Sequence, residues 1–159
     1  MEFRIFDTLL EPIFVLNAKG GVVYCNEPAA SLCDQSPRKL IRTSPRLQDL
    51  FQFASPLPEL ENLTLISEPT PYCETAFTTD SSREGRVQIT IQPLSQTETP
   101  SWIVFFRDVT LEEKLQRKYR QELEQKEAYA KNLESMVAER TQQLSDMNRQ
   151  MKALLDSLG

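Results

Sequence analysis

The sequence of 159 residues contains no histidine. That removes the commonest general base, the phosphoacceptor of a histidine phosphorelay and the usual nitrogen ligand of a metal. Only four glycines are present. Gly20 and Gly21 fall between two apolar runs and do not open a helix, so no Gly-rich phosphate loop can be built. The three cysteines, Cys25, Cys33 and Cys73, are odd in number and form no C-x-x-C pair. They read as reduced, buried thiols that behave as small hydrophobes, which speaks against a zinc site. No nucleophile motif stands out, and no catalysis is expected of this chain. No apolar run approaches the ~20 residues that span a bilayer, and the N-terminus lacks the basic-then-apolar pattern of a signal peptide. The chain is therefore expected to be cytoplasmic. Positive charge is also scarce where a polyanion would need it. Residues 1–110 carry nine Lys plus Arg against fourteen Asp plus Glu, whereas 111–159 carries nine of each. An acidic domain and an evenly mixed tail give neither nucleic acid nor an anionic membrane a surface to bind.

A further absence organises the chain. From Asp108 to Leu158 there is no Gly or Pro, although the first two thirds hold all ten prolines. Leu123, Lys126, Ala130, Leu133, Val137, Arg140, Leu144, Met147, Met151, Leu154 and Leu158 follow one another by alternating steps of three and four. This is a heptad seam, and a period of 3.5 held this long makes sense only if a partner helix follows it. A parallel homodimer is expected. With Leu123 at position a, the d positions are Lys126, Leu133, Arg140, Met147 and Leu154. Two of these five are cations. Either they snorkel out of an irregular seam, or the seam is weakened so that a second packing lies close in energy. Nearer the domain, Leu111, Leu115, Tyr119 and Leu123 step by four. Such a run unwinds a left-handed supercoil locally, through splaying or a register switch. The seam reaches Leu158 with only Gly159 beyond it, as a fragment of a longer chain would.

Ahead of the helix the pattern is mixed. Phe3, Phe6 and Leu10, with Leu9 beside them, predict a short amphipathic helix over 1–10. Ile13–Leu16 and Val22–Cys25 predict a hairpin around Gly20-Gly21. Glu27–Cys33 reads as a short helix. Six prolines between Pro37 and Pro71 allow only helical turns, at Leu40-Ile41, Leu47–Phe53 and Leu57–Leu65. Three strands follow over Tyr72–Thr79, Arg86–Leu94 and Trp102–Val109. In the second, Val87, Ile89 and Ile91 alternate with polar residues, as on a half-buried strand. The third is apolar on both faces. The core must cover it on one side, and the N-terminal helix or a partner subunit on the other.

The order of hairpin, short helices, three antiparallel strands, Asp108-Val109-Thr110 and a long helix resembles the PAS sensor domains over residues from about 10 to 110. The pieces that carry it are Pro12–Leu16 through the Gly20-Gly21 turn, Asn26 with Ala29-Ala30, and the closing Asp-Val-Thr. Leu133-Glu134, Val137, Glu139-Arg140-Thr141, Leu144 and Asn148 resemble the helical linker that often precedes the catalytic core, or another sensor domain, in bacterial histidine kinases, a pattern also found in cyclases and other signalling proteins. The expected fold is α+β: a PAS-like five-stranded antiparallel sheet over 11–110 with short helices on one face, then a coiled-coil helix over 111–159.

At the junction, Thr110-Leu-Glu-Glu113 reads as a capping box, with the Thr110 hydroxyl on the Glu113 amide and the Glu113 carboxylate on the Thr110 amide. The resemblance implies more, that Asp108, Val109, Thr110 and Glu113 relay sheet movement to the helix. It also implies a ligand pocket between sheet and helices, walled by Phe14, Val23, Val87, Ile89, Ile91, Val104 or Phe105, and Phe106, with Cys25, Cys33 and Cys73 nearby. Filled by its own side chains, the same list is simply a core. Haem held by His is excluded, and Leu32-Cys33-Asp34-Gln35 departs from the Asn-Cys-Arg-Phe type motif of cysteinyl-flavin photosensors. The identity of any cofactor stays open. Two functions remain: a dimeric sensor that signals through its coiled coil to a downstream kinase or cyclase domain, and a ligand-free scaffold for dimerisation or docking.

Overall fold

The computed structural model describes residues 3–95 and 97–159, and the chain divides into two compact units after Glu113. Met1 and Glu2, part of the helix expected over 1–10, lie outside the described residues. The first unit is built on an antiparallel sheet of six strands: β1 Ile13–Asn17, β2 Val22–Cys25, β3 Phe51–Phe53, β4 Cys73–Thr79, β5 Glu84–Leu94 and β6 Ser101–Asp108. Their order is β2-β1-β6-β5-β4-β3. Sequence reading gives five strands, and the sixth is β3, which lies within the turn expected over Leu47–Phe53. Phe51 and Phe53 both reach the core cluster. Residues two apart point the same way on a strand but to opposite sides of a helix. The chain therefore leaves the helix at Leu50 and pairs Phe51 with Thr79 and Phe53 with Phe77.

Four short helices lie between the hairpin and β4: α1 Glu27–Leu32, α2 Pro37–Thr43, α3 Leu47–Leu50 and α4 Pro58–Glu61. Each is brief because a proline opens or interrupts the stretch, but α1 and α2 are properly capped, by Asn26 accepting from the Ala29 amide and Ser36 from the Lys39 amide. Asn26 does more than cap. It is 1% exposed, its Oδ1 also accepts from the Ile13 amide at 3.0 Å, and its Nδ2 donates to the carbonyls of Glu11 (2.8 Å) and Phe6 (3.3 Å). One side chain thus fastens the N-terminal segment, β1 and α1 together.

The sheet is apolar on both faces, as the Trp102–Phe106 run predicts. On the helix side Trp102, Val104 and Phe106 join the main cluster, and on the other side Ile13, Val15 and Ile103 form a second one. The second cluster is covered from within the chain by Phe3 and Phe6. These belong to or flank a 3-10 turn at Arg4–Thr8, further held by a hydrogen bond from the Tyr24 hydroxyl to Asp7. An amphipathic helix with Leu9 and Leu10 on its buried side is not what forms. The turn ends at Thr8, and Leu10 is 91% exposed.

From Thr110 to Leu158 a single helix, α5, runs for 49 residues. None of its residues is buried within the chain. The second unit consists of this helix from Lys114 onward.

Candidate functional site

The junction between β6 and α5 is built on the pairing of β5 with β6, in which Val87 faces Asp108. Past that pair the two segments stay joined. The Val109 amide donates to the Arg86 carbonyl at 2.9 Å, and the Arg86 amide donates to Thr110 Oγ1 at 2.9 Å. Val109 is 6% exposed, so its side chain anchors the one residue between β6 and α5 in the domain. Asp108 Oδ1 accepts from the Thr110 amide at 3.0 Å and from the Thr110 hydroxyl at 2.5 Å. The Glu113 amide donates to the Val109 carbonyl, which begins the helical ladder.

This geometry replaces the expected capping box. The Thr110 hydroxyl serves Arg86 and Asp108, and the Glu113 amide is satisfied by the backbone. The carboxylate that meets the first helical amide is Asp108, two residues before Thr110's own turn. The physical reason lies in Thr110 itself, which is already helical and so faces back to β5 instead of forward over the first turn. Arg86 carries a second tie, an ion pair with Glu74 of β4 at 3.2 Å. Sequence reading did not single out Arg86 or Gly85. A Cβ placed on Gly85 would lie 2.5 Å from Thr110 Oγ1 and 2.8 Å from Cε1 of Phe77. Only glycine lets the helix start sit this close to the hairpin.

The expected pocket wall comes together as a core. Phe14, Cys25, Cys33, Val87, Ile89, Ile91, Val104 and Phe106 belong to one buried cluster. Its centre is aromatic: the Phe14 and Phe106 rings lie 5.2 Å apart, Phe51 and Phe106 5.3 Å, and Phe51 and Phe77 5.6 Å. The space beside Ile89 and Ile91, against Leu57, Leu60 and Cys73, is about 10 Å³, no more than one water would occupy. Val23 is not part of this wall. It packs on the second cluster, as does Phe105, because residues alternate across a strand and Val22 takes the inner position. Cys73 is only half-buried, at the start of β4. Burial pushes the Cys25 thiol up to about 11 and that of Cys33 to about 12, with the nearby Glu27 adding to the first. Both stay protonated at neutral pH and are poor nucleophiles. Trp102 is a packing residue whose indole N–H donates to the Ile66 carbonyl at 3.1 Å. Among the described residues no three His, Cys, Asp or Glu side chains gather as a metal site, and no helix is long and apolar enough to cross a membrane.

Along α5 the expected seam is an exposed stripe: Leu123 and Leu133 are 42% and 43% exposed, and Val137, Leu144, Met147, Met151, Leu154 and Leu158 more so.

The PAS domain family model matches residues 3–68. No curated protein matches the chain. Among solved structures, the PAS domain of nitrogen regulation protein NR(II) from Vibrio parahaemolyticus is 17% identical and superposes with a TM-score of 0.55, covering 68% of this chain and 97% of that one. A PAS domain from a two-component sensor histidine kinase is 18% identical, with a TM-score of 0.50 over 67% of this chain and 92% of the other. The PAS domain of the fruit-fly ELK potassium channel is 15% identical, with a TM-score of 0.53 over 67% and 93%. Residues 3–68 match the PAS family model, and the globular part of this chain, up to the start of α5, has the PAS fold.

Proposed function

We propose that this chain is a cytoplasmic sensor and relay module. It works as a parallel homodimer whose α5 helices carry a change of state in the PAS domain to an output domain, a histidine kinase of a two-component system or a cyclase. One observation carries the reading: the central strand β6 runs without a loop, through Asp108-Val109-Thr110, into a 49-residue helix whose heptad stripe is exposed. A loop-free joint transmits strain that a flexible linker would absorb. The similarity to PAS domains of NR(II) and of a sensor histidine kinase supports the choice of output. The ligand-free scaffold keeps one specific support, the filled space of about 10 Å³ where the inner pocket was expected.

The joint separates these readings. Asp108→Asn keeps a carbonyl oxygen for both Thr110 bonds and removes only the charge. Thr110→Ala deprives the Arg86 amide of its acceptor and should cost ~1 kcal/mol. In the protein joined to its output domain, a relay predicts that Asp108→Asn changes output activity at nearly unchanged melting temperature, since it shifts a balance between two packings. If activity merely tracks melting temperature in both variants, the joint is a structural boundary and the scaffold reading stands.

A further inference from the structure

A second hollow lies outside the filled core, where β3 and β4 end the sheet. It is an open cleft of about 600 Å³, within the roughly 300–1,000 Å³ typical of small-molecule sites. Its apolar wall comes from Phe51, Phe53, Leu57, Leu60 and Phe77, and among the described residues its only ionisable side chain is Glu61. Gln48 also lines it, and Nε2 of Gln48, shielded from solvent, has no hydrogen-bond partner. A buried donor without an acceptor is uncommon in folded proteins and marks a place where one can be supplied. Turning the terminal amide toward the cleft would bring this donor to a bound molecule.

The back wall leads to the helix start. Phe77 pairs with Gly85 across β4 and β5, and the space a Cβ would fill at Gly85 is taken by the Phe77 ring on one side and Thr110 Oγ1 on the other. A ring pushed from the cleft side moves over Gly85 toward Thr110, the residue that joins β5 to α5.

We propose that this cleft binds a small, flat, uncharged molecule bearing a hydrogen-bond acceptor, and that Phe77 reports its presence to Thr110. The aromatic wall selects a flat apolar body, Gln48 selects the acceptor, and Glu61 disfavours an anion. The reporting half rests on the sensor reading above, whereas the binding half does not.

Benzamide, a ring with a carbonyl, is a suitable probe for nuclear magnetic resonance titration of the full chain. Saturable shifts are expected at the backbone amides of Phe53, Ala54 and Phe77, together with Gly85 and Thr110. Ala54→Trp fills the cleft from an exposed position and should weaken binding by about tenfold or more; Ser55→Trp does the same should the first variant fold poorly. Absence of saturable shifts, or shifts indifferent to both variants, overturns the site. Shifts confined to the cleft, with Gly85 and Thr110 unmoved, overturn the report. Failure of the sensor reading alone looks different: all these shifts persist while the output of the longer protein ignores benzamide.

Discussion

The two regions of the chain treat apolar residues in opposite ways. Every buried hydrophobic residue lies at or before Val109, while α5 buries none of its leucines and methionines. The globular domain satisfies itself, down to the second face of its sheet, which its own N-terminal turn covers. The helix does not. A 49-residue helix whose apolar stripe is exposed has little packing to hold it in water, and in the proposed dimer a second helix would supply it. The domain's packing is complete within one chain, and that of the helix is not.

The strongest test of that contrast puts charge where the partner should lie. Leu133→Lys with Leu144→Lys adds two cations to the seam, and sedimentation with circular dichroism should show loss of the dimer and of much helix signal while the domain still melts cooperatively. An intact dimer with full helix content would place the contact elsewhere. The reverse change sharpens the comparison. Lys126→Leu with Arg140→Leu adds apolar burial of roughly 1.5–3 kcal/mol per side chain before entropy and cavity terms, and removes like charges facing each other across the seam. The helix transition should move up and the domain transition stay put. If output still switches normally, the cations are snorkelling residues and the seam is not tuned by them. The smallest effect belongs to the boundary. Gly85→Ala forces a methyl between Phe77 and Thr110 and should cost the domain roughly 1–3 kcal/mol as overpacking. Adding Thr110→Ala removes the nearer obstacle and should recover part of that loss. A purely additive pair would separate Gly85 from the helix start.

Where the two regions differ, so did their legibility. The alternation of Val87, Ile89 and Ile91 and the turn at Gly20-Gly21 specify strands locally, and the lack of Gly and Pro after Asp108 specifies the long helix. What stayed hidden depends on contacts between distant residues. Phe51-Gln52-Phe53 has the period of a strand, but three residues next to a helical turn are too few to settle the choice without β4 alongside. Gly85 looks like any turn-flanking glycine until Thr110 is placed beside it. Val23 was assigned to the wrong face because both faces of the hairpin are apolar, so alternation alone cannot say which is inward. The capping box at Thr110 was a sound local motif overridden by a sheet that had a prior use for the same hydroxyl. The cleft at the β3–β4 edge left no trace in the sequence, since its wall comes from segments that only the extra strand brings together.

The length of α5 bears on what kind of message it can carry. At 1.5 Å per residue its 49 residues extend about 73 Å. A lever of that length turns one degree of tilt at Thr110 into about 1.3 Å at Leu158 if the rod is rigid, but rods this slender curve, and bending dissipates a tilt along the way. Rotation about the axis is neither magnified nor lost with distance. In the proposed dimer it would also swap which side chains face the partner, so a turn of a few tens of degrees would exchange one set of contacts for another. A helix this long is therefore better suited to conveying torsion than displacement.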